Sequence, residues 1–223
     1  MAGDLFSLGC IFYYCVTGGR HPFGGILERD MNIWSNQVNL SFVKELIPEA
    51  HDLISHLLNP IPQWRPMASE LCSHPFFWKS SKRLNFLCVF SDTLQENLRE
   101  NSNPDLLMAL ESNKSSIFEW DWPSRLEFEF RVLISFGGQR SYSPYHARDL
   151  LKAIRDKWDK RQELPEPAEG LFRSECPVGA PLDECYDTYF ARRFPNLLIE
   201  AYQVARYFCR GDPWFEAFKE CED

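Results

Sequence analysis

The sequence predicts a mainly α-helical protein. Several segments place apolar residues at the i, i+3, i+4 and i+7 spacing of an amphipathic helix, and none alternates apolar and polar residues clearly enough to indicate a strand. The hydrophobic fraction of 44% and the aromatic fraction of 15% are typical of a folded chain, since disorder requires low hydrophobicity. At 223 residues, the chain accommodates one large domain or two small ones.

Three helices are predicted before residue 79. The first covers residues 5–16 and is apolar nearly all round, so we expect it to be fully buried. The second runs from about Glu49 to Leu58, and Pro60 stops it. A short third helix follows Pro66 and ends near His74.

After Lys79 the composition changes. A polar stretch over residues 96–104 precedes a helix that begins at Pro104. Residues 135–145 contain two adjacent glycines and a proline and are predicted to be a loop. Strong amphipathic patterns then predict helices over residues 148–161 and residues 195–209, joined by a proline-rich connector.

The predicted helix at residues 148–161 lies in a basic segment of an acidic protein. Residues 140–161 hold seven Lys and Arg against three Asp, about +4, whereas the whole chain carries −8. A pI near 5.2 argues against nucleic-acid binding by the whole surface. The sequence therefore predicts a local patch for phosphate groups.

Other patterns exclude several classes of protein. No run of about 18 apolar residues and no charged-then-apolar leader occurs, so we expect no membrane span and no secretory signal. The eight cysteines are scattered without a C-x-x-C pair, which favours buried free thiols over a disulfide framework. The five histidines show no metal-ligand spacing, and no metal site is expected.

Two sets of motifs resemble known protein families. The first set is similar to the C-terminal half of a protein-kinase C-lobe: DLFSLG at residues 4–9, HPF at 21–23, RP at 65–66 and HPFFW at 74–78. The second set is similar to the kinase-extension nuclease (KEN) domain: RLNFL at residues 83–87, RDLL at 148–151, ELP at 163–165 and YFARRFP at 189–195. The combination resembles the inositol-requiring endoplasmic-reticulum stress sensors, most closely those of plants, and ribonuclease L shares it.

This resemblance implies a domain organisation. Residues 1–80 are expected to be a helical remnant of a kinase C-lobe, and residues 81–223 an all-helical KEN domain. The kinase motifs G-x-G-x-x-G-x-V, V-A-I-K, H-R-D, D-F-G and A-P-E do not occur in the sequence. We therefore interpret the chain as a C-terminal fragment without kinase activity. ATP and Mg²⁺, which the parent family uses, are not expected to bind it.

The resemblance also implies a site for RNA cleavage without a metal. KEN nucleases use a loop Tyr and, on the next helix, an Arg, an Asn and a His. Tyr142 and Arg155 match the Tyr and the Arg, whereas Asp156 replaces the Asn and Lys160 replaces the His. An ionised Asp repels a phosphate, and a Lys with an ordinary pKa near 10.4 is a poor proton carrier at neutral pH.

Other interpretations of these residues stay open. Asp156 and Lys160 are four residues apart and could form a plain salt bridge, as could Lys152 with Asp156 and Arg155 with Asp159. His146, beside Tyr142, could replace the missing His. Arg148 and Lys157 are expected to contact RNA.

The expected function is an endoribonuclease module of the unfolded protein response with weak or absent cleavage. Its expected partners are an RNA stem-loop and a second copy of the chain. The alternative is a catalytically dead dimerisation module that pairs with full-length stress-sensor relatives and regulates them. The expected location is the cytoplasm, with recruitment to the cytosolic face of the endoplasmic reticulum through a partner.

Overall fold

The computed structural model describes residues 2–135 and 142–220. In this part of the chain every regular element is a helix and no strand occurs, which confirms the predicted fold class. The residues divide into two compact units, a first unit that extends to Phe77 and a second unit from Trp78 to Glu220. None of the described helices combines the length and the apolar content needed to cross a bilayer.

Five α-helices form the first unit: α1 (Ala2–Val16), α2 (Arg29–Trp34), α3 (Ser41–Leu46), α4 (Pro48–Leu57) and α5 (Ala68–Cys72). Helix α4 confirms the second predicted helix to within a residue at each end. It packs against α1 and α3. The two helices α1 and α4 approach closely at Gly9, where an added Cβ would lie 2.9 Å from Cβ of Leu57 and 2.9 Å from Cδ2 of Leu58.

The prediction that the first helix is fully buried is wrong. Tyr13 is buried against the core of the first unit, but Ile11 and Tyr14 expose 55% and 56% of their surface. Helix α4 covers one side of α1, and the described residues of the first unit leave the opposite side open. A helix that is apolar on all sides does not show from its sequence which side is covered.

Nine α-helices form the second unit: α6 (Ser80–Glu100), α7 (Pro104–Ser112), α8 (Lys114–Ile117), α9 (Phe128–Ser135), α10 (Ala147–Asp159), α11 (Glu166–Arg173), α12 (Leu182–Arg193), α13 (Leu197–Phe208) and α14 (Pro213–Ala217). Helix α6 is the centre of this unit and packs against α7, α10, α12 and α13. One apolar core includes Leu84, Phe90 and Leu94 of α6 together with Leu150 and Ile154 of α10.

Sequence periodicity predicted α10 and α13, and the proline at its start predicted α7, but neither signal predicted α6. The core residues of α6 are interrupted by Ser91, which is fully buried, and by many charged and polar neighbours on the exposed side. Part of the loop predicted for residues 135–145 lies at 136–141, outside the described residues.

Helix α10 is held firmly at its start and in its middle. The Glu111 carboxylate accepts hydrogen bonds from the backbone N–H groups of Ala147 and Arg148, at 3.2 and 3.1 Å. A carboxylate at this place complements the positive end of the helix dipole. The buried Tyr186 hydroxyl donates to the Ile154 carbonyl at 2.9 Å. These contacts fix the helix that carries most of the candidate site.

The seven cysteines that the structure describes are free, but they are not uniformly buried. Cys185 and Cys209 are buried, whereas Cys15 and Cys72 are exposed. The prediction of free thiols is confirmed for these seven, and the prediction that they are buried is wrong for the exposed pair.

Candidate functional site

Tyr142 and Asp156 are in direct contact. The Tyr142 hydroxyl donates a hydrogen bond to Oδ2 of Asp156 at 2.9 Å. Asp156 is buried, with 5% of its surface exposed. The Tyr142 ring is fixed on its other sides by the edge of Trp122 and by the Lys152 ammonium, which lies 5.7 Å from the ring centroid. The tyrosine hydroxyl therefore points at a carboxylate.

Arg155 is neutralised by two carboxylates. Its guanidinium forms an ion pair with Asp92 of α6 and a second pair with Oδ1 of Asp156 at 3.0 Å. Asp92 was not among the site residues predicted from the sequence. No spacing rule links it to Arg155, which lies 63 residues further along the chain.

A cavity of about 640 Å³ opens beside this cluster. Its lining includes Tyr142, Asp156, Lys157 and Lys160, together with apolar residues of α9 and α11. Among its described lining residues, the acids Glu129, Asp156 and Glu163 outnumber the bases Lys157 and Lys160. The described part of the cavity wall therefore does not carry the excess of positive charge that an RNA phosphate favours.

Lys157 and Arg148 were expected to contact RNA, but the structure gives each of them a partner outside the cluster. Lys157 is buried, and its Nζ donates to the Leu133 carbonyl at 2.7 Å. Arg148 lies at the start of α10 and pairs with Asp149 at 3.5 Å. With a rise of about 1.5 Å per residue, it is about 10 Å along the axis from Arg155.

His146 is far from the substituted histidine position. It precedes the first turn of α10, and its Nδ1 lies 3.7 Å from Oε2 of Glu111. Lys160 follows the last turn of the same helix, so the two positions are about 20 Å apart along the axis. His146 cannot reach the space beside Lys160 while α10 is intact.

The salt bridges that four-residue spacing suggests are not among the ion pairs of the described residues. Asp156 pairs with Arg155 and accepts from Tyr142, and Arg155 reaches across to α6. Lys160 instead stands at the rim of the cavity, exposed to solvent. Tertiary contacts with α6 and with Tyr142 therefore override the helical spacing.

No group of three or more His, Cys, Asp or Glu side chains in the described ranges is arranged to hold a metal ion. The cluster of Tyr142, Arg155, Asp92 and Asp156 can hold protons and charge.

Comparison with known proteins gives the class of this helical unit. A family model described as Ribonuclease 2-5A matches residues 83–219, which is nearly all of the second unit. The chain belongs to the Ribonuclease 2-5A family, the family of the KEN domain.

The similarity extends through the first unit to multidomain relatives. The serine/threonine-protein kinase/endoribonuclease IRE1a of Arabidopsis thaliana is 43% identical over 221 residues, which cover 99% of this chain and 25% of that protein. The sensor for unfolded proteins in the ER of Schizosaccharomyces pombe is 32% identical over 98% of this chain and 20% of its own length.

A third relative differs in its stated activity. The inactive serine/threonine-protein kinase/endoribonuclease IRE1-like protein of Arabidopsis thaliana is 35% identical over 96% of this chain and 39% of its own length. The chain thus spans about a quarter of the length of the kinase/endoribonucleases that it matches.

Proposed function

We propose that the second unit is a KEN-type endoribonuclease module of the unfolded protein response in which RNA cleavage is weak or absent. The observation that carries this proposal is the position of the Asp156 carboxylate. It accepts a hydrogen bond from the Tyr142 hydroxyl and pairs with Arg155, and these two residues match the family's site. The Tyr142 hydroxyl and the Arg155 guanidinium are therefore both engaged by a side chain of the chain itself.

The carboxylate at position 156 opposes RNA binding in two ways. Its charge repels a phosphate, and it neutralises Arg155 together with Asp92. A phosphate in this place would have to displace an ion pair that is already formed. The transition state of phosphate cleavage gains negative charge, so a site without free positive charge stabilises it poorly.

The lysine at position 160 concerns a second requirement of the reaction, a group that transfers protons. Metal-independent cleavage needs a base for the 2′-hydroxyl and an acid for the leaving oxygen. Lys160 is exposed to solvent. As a residue type, lysine has an ordinary pKa near 10.4 against about 6.5 for histidine, so an amine carries protons at neutral pH less well than an imidazole does. Loss of one general acid–base group typically lowers a rate by about 10²–10⁴-fold.

The test is cleavage of an RNA stem-loop by the full chain in metal-free buffer. Asp156→Asn combined with Lys160→His should raise the rate by about 10² or more, since it supplies the neutral amide and the proton carrier. Adding Tyr142→Phe should remove most of that gain.

The matched control makes the same charge changes away from the cavity. Asp159→Asn combined with Lys44→His alters two exposed residues and should leave the rate unchanged. Robust cleavage by the unmodified chain, abolished by His146→Ala, would show that the catalytic histidine has moved and would overturn the proposal.

The relative named as inactive favours a second candidate function. In that function the chain is a regulatory module that pairs with full-length relatives through the second unit. Analytical ultracentrifugation of the chain mixed with a full-length relative tests this. A mixed dimer with reduced cleavage by the relative supports it, whereas two independently sedimenting species exclude it.

A further inference from the structure

Cys176 and Cys185 are neighbours in space although eight residues separate them in the chain. Cys176 lies in the connection between α11 and α12, and Cys185 lies in the first turn of α12. The Cys176 thiol contacts Thr188, which lies one helical turn beyond Cys185 on α12. The sequence contains no C-x-x-C motif and does not predict this proximity.

A tight turn brings Cys176 back to α12. The backbone N–H of Ala180 donates to the Pro177 carbonyl at 3.1 Å, and Gly179 has a positive φ of 91°. This is the residue type and the dihedral angle that the third position of a type II turn requires. The turn reverses the chain, so that Cys176 faces the helix that follows.

Independent contacts place both thiols on the same side of α12. The Cys176 thiol donates to Oγ1 of Thr188 at 3.6 Å. Thr188 follows Cys185 by three residues, and residues three apart on a helix are neighbours on one face. The Cys185 thiol lies 3.9 Å from the Ala180 carbonyl, which closes the turn.

The ion pairs beside Cys176 hold this arrangement. Glu175 pairs with Arg192 at 2.5 Å and with Arg193 at 2.8 Å, and both arginines belong to the last turn of α12. The connection is therefore attached to α12 at both ends of the helix.

We propose that Cys176 and Cys185 form a reversible disulfide bond with a small disulfide, such as oxidised glutathione, as the oxidant. This site is independent of the RNA-cleavage proposal, because neither cysteine lines the cavity beside Tyr142.

The two steps of the reaction are thiol–disulfide exchanges. The Cys176 thiolate attacks one sulfur of oxidised glutathione, and the first glutathione leaves as a thiolate that takes up a proton. The Cys185 thiolate then attacks the Cys176 sulfur and releases the second glutathione. One protein disulfide and two reduced glutathiones result, and the two protons lost by the cysteines are recovered on the glutathiones.

The exposure of the two thiols sets this order. Cys176 is half-buried and can meet the oxidant, whereas Cys185 exposes 1% of its surface. Burial first, and the neighbouring Cys176 thiol second, raise the pKa of Cys185. Cys185 therefore acts as the resolving thiol, which reacts after Cys176 has been oxidised.

The direct test is a peptide map of the full chain after incubation with oxidised glutathione and alkylation of the remaining thiols. Trypsin should release residues 174–192 as one peptide that contains both cysteines and no others. We expect this peptide unalkylated and lighter by two hydrogen atoms, and dithiothreitol should restore two alkylated cysteines.

The exposed Cys72 in the first unit is the internal control, and it should carry glutathione as a mixed disulfide. Two alkylated thiols in the peptide at excess oxidant, or glutathione retained on Cys176 beside a free Cys185, would overturn the proposal. In Cys185→Ala, which removes the resolving thiol without burying a hydroxyl, glutathione should remain on Cys176.

Thermal unfolding supplies a second measurement. Closing a short loop should raise the melting temperature of the oxidised chain by about 5–10 °C. Cys176→Ser should abolish the rise, and Cys72→Ser should preserve it. An equal rise in Cys176→Ser would assign the effect to another cysteine and contradict the proposal.

Discussion

At position 156 a carboxylate stands where the resembled nucleases have an amide, and its effect extends to its neighbours. Tyr142 donates a hydrogen bond from its hydroxyl to Asp156, and the Arg155 guanidinium pairs with the same carboxylate. An amide in this place could not neutralise the guanidinium. One carboxylate therefore affects three of the four positions for which the motif resemblance implies a role in the chemistry.

A second buried carboxylate, Asp52 in the first unit, makes the stability of that unit sensitive to acid. Its Oδ2 lies 3.0 Å from Nε2 of His74 and 3.4 Å from Nδ1 of His56. Burial alone would raise the pKa of Asp52, but the hydrogen bonds from His56 and His74 outweigh burial and hold it well below its usual range. The ionised form is thus favoured in the folded state.

We predict that the free energy of unfolding of the first unit falls as the pH drops below about 5. A carboxyl group whose folded-state pKa is depressed stabilises the fold above its unfolded pKa, near 3.9, and that stabilisation is lost as the pH approaches the folded value. Asp52→Asn should flatten this dependence and destabilise the unit at pH 7 by about 1.5–3 kcal/mol.

Urea denaturation between pH 2.5 and 7, followed by circular dichroism, measures this. Asp30→Asn, which alters an exposed carboxylate on α2, is the control and should keep the wild-type pH profile. If the free energy of unfolding of Asp52→Asn depends on pH in the same way as that of the wild type, Asp52 is not the source of the acid sensitivity.

At the scale of the element, α1 depends on a close approach at Gly9. Gly9→Ala should destabilise the pairing of α1 with α4 by about 1–3 kcal/mol, because the new Cβ would lie 2.9 Å from the Cβ of Leu57, which cannot move without its backbone. The gain in helix propensity, about 1 kcal/mol, is too small to compensate.

Hydrogen exchange over residues 5–16 tests this prediction. Exchange there should accelerate about ten-fold or more in Gly9→Ala. Gly3→Ala adds the same methyl group on the same helix, where no atom lies within 4 Å, and should not accelerate exchange. Unchanged protection in Gly9→Ala would mean that the two helices can separate without cost.

For the whole molecule we predict that nucleotide does not bind. The sequence lacks the phosphate loop, the strand lysine and the metal-binding Asp that hold ATP and Mg²⁺ in kinases. Isothermal titration of the full chain with ATP and Mg²⁺ should show no binding up to about 1 mM, and ATP should not shift its melting temperature. A micromolar dissociation constant, competed by kinase inhibitors, would refute this.

The sequence by itself determined the helical fold class, the family and the position of the helices with strong apolar periodicity. Helices α4, α10 and α13 were predicted because one face of each is continuous, so local spacing alone reports their burial. The long α6 was missed since its buried face is interrupted by Ser91. Motif spacing also predicted four positions of the candidate site: Tyr142, Arg155, Asp156 and Lys160.

Only the tertiary structure decided what those residues contact. Asp92 reaches Arg155 from α6, Tyr142 reaches Asp156 from a loop, and a turn brings Cys176 back to Thr188 of α12. Four-residue spacing suggested Lys partners for Asp156 and an Asp partner for Arg155. In the structure Asp156 contacts Tyr142 and Arg155, and Arg155 also pairs with Asp92. The physical reason is that a side chain pairs with the nearest complementary group in space, and packing of the helices, rather than distance along the chain, sets which group that is.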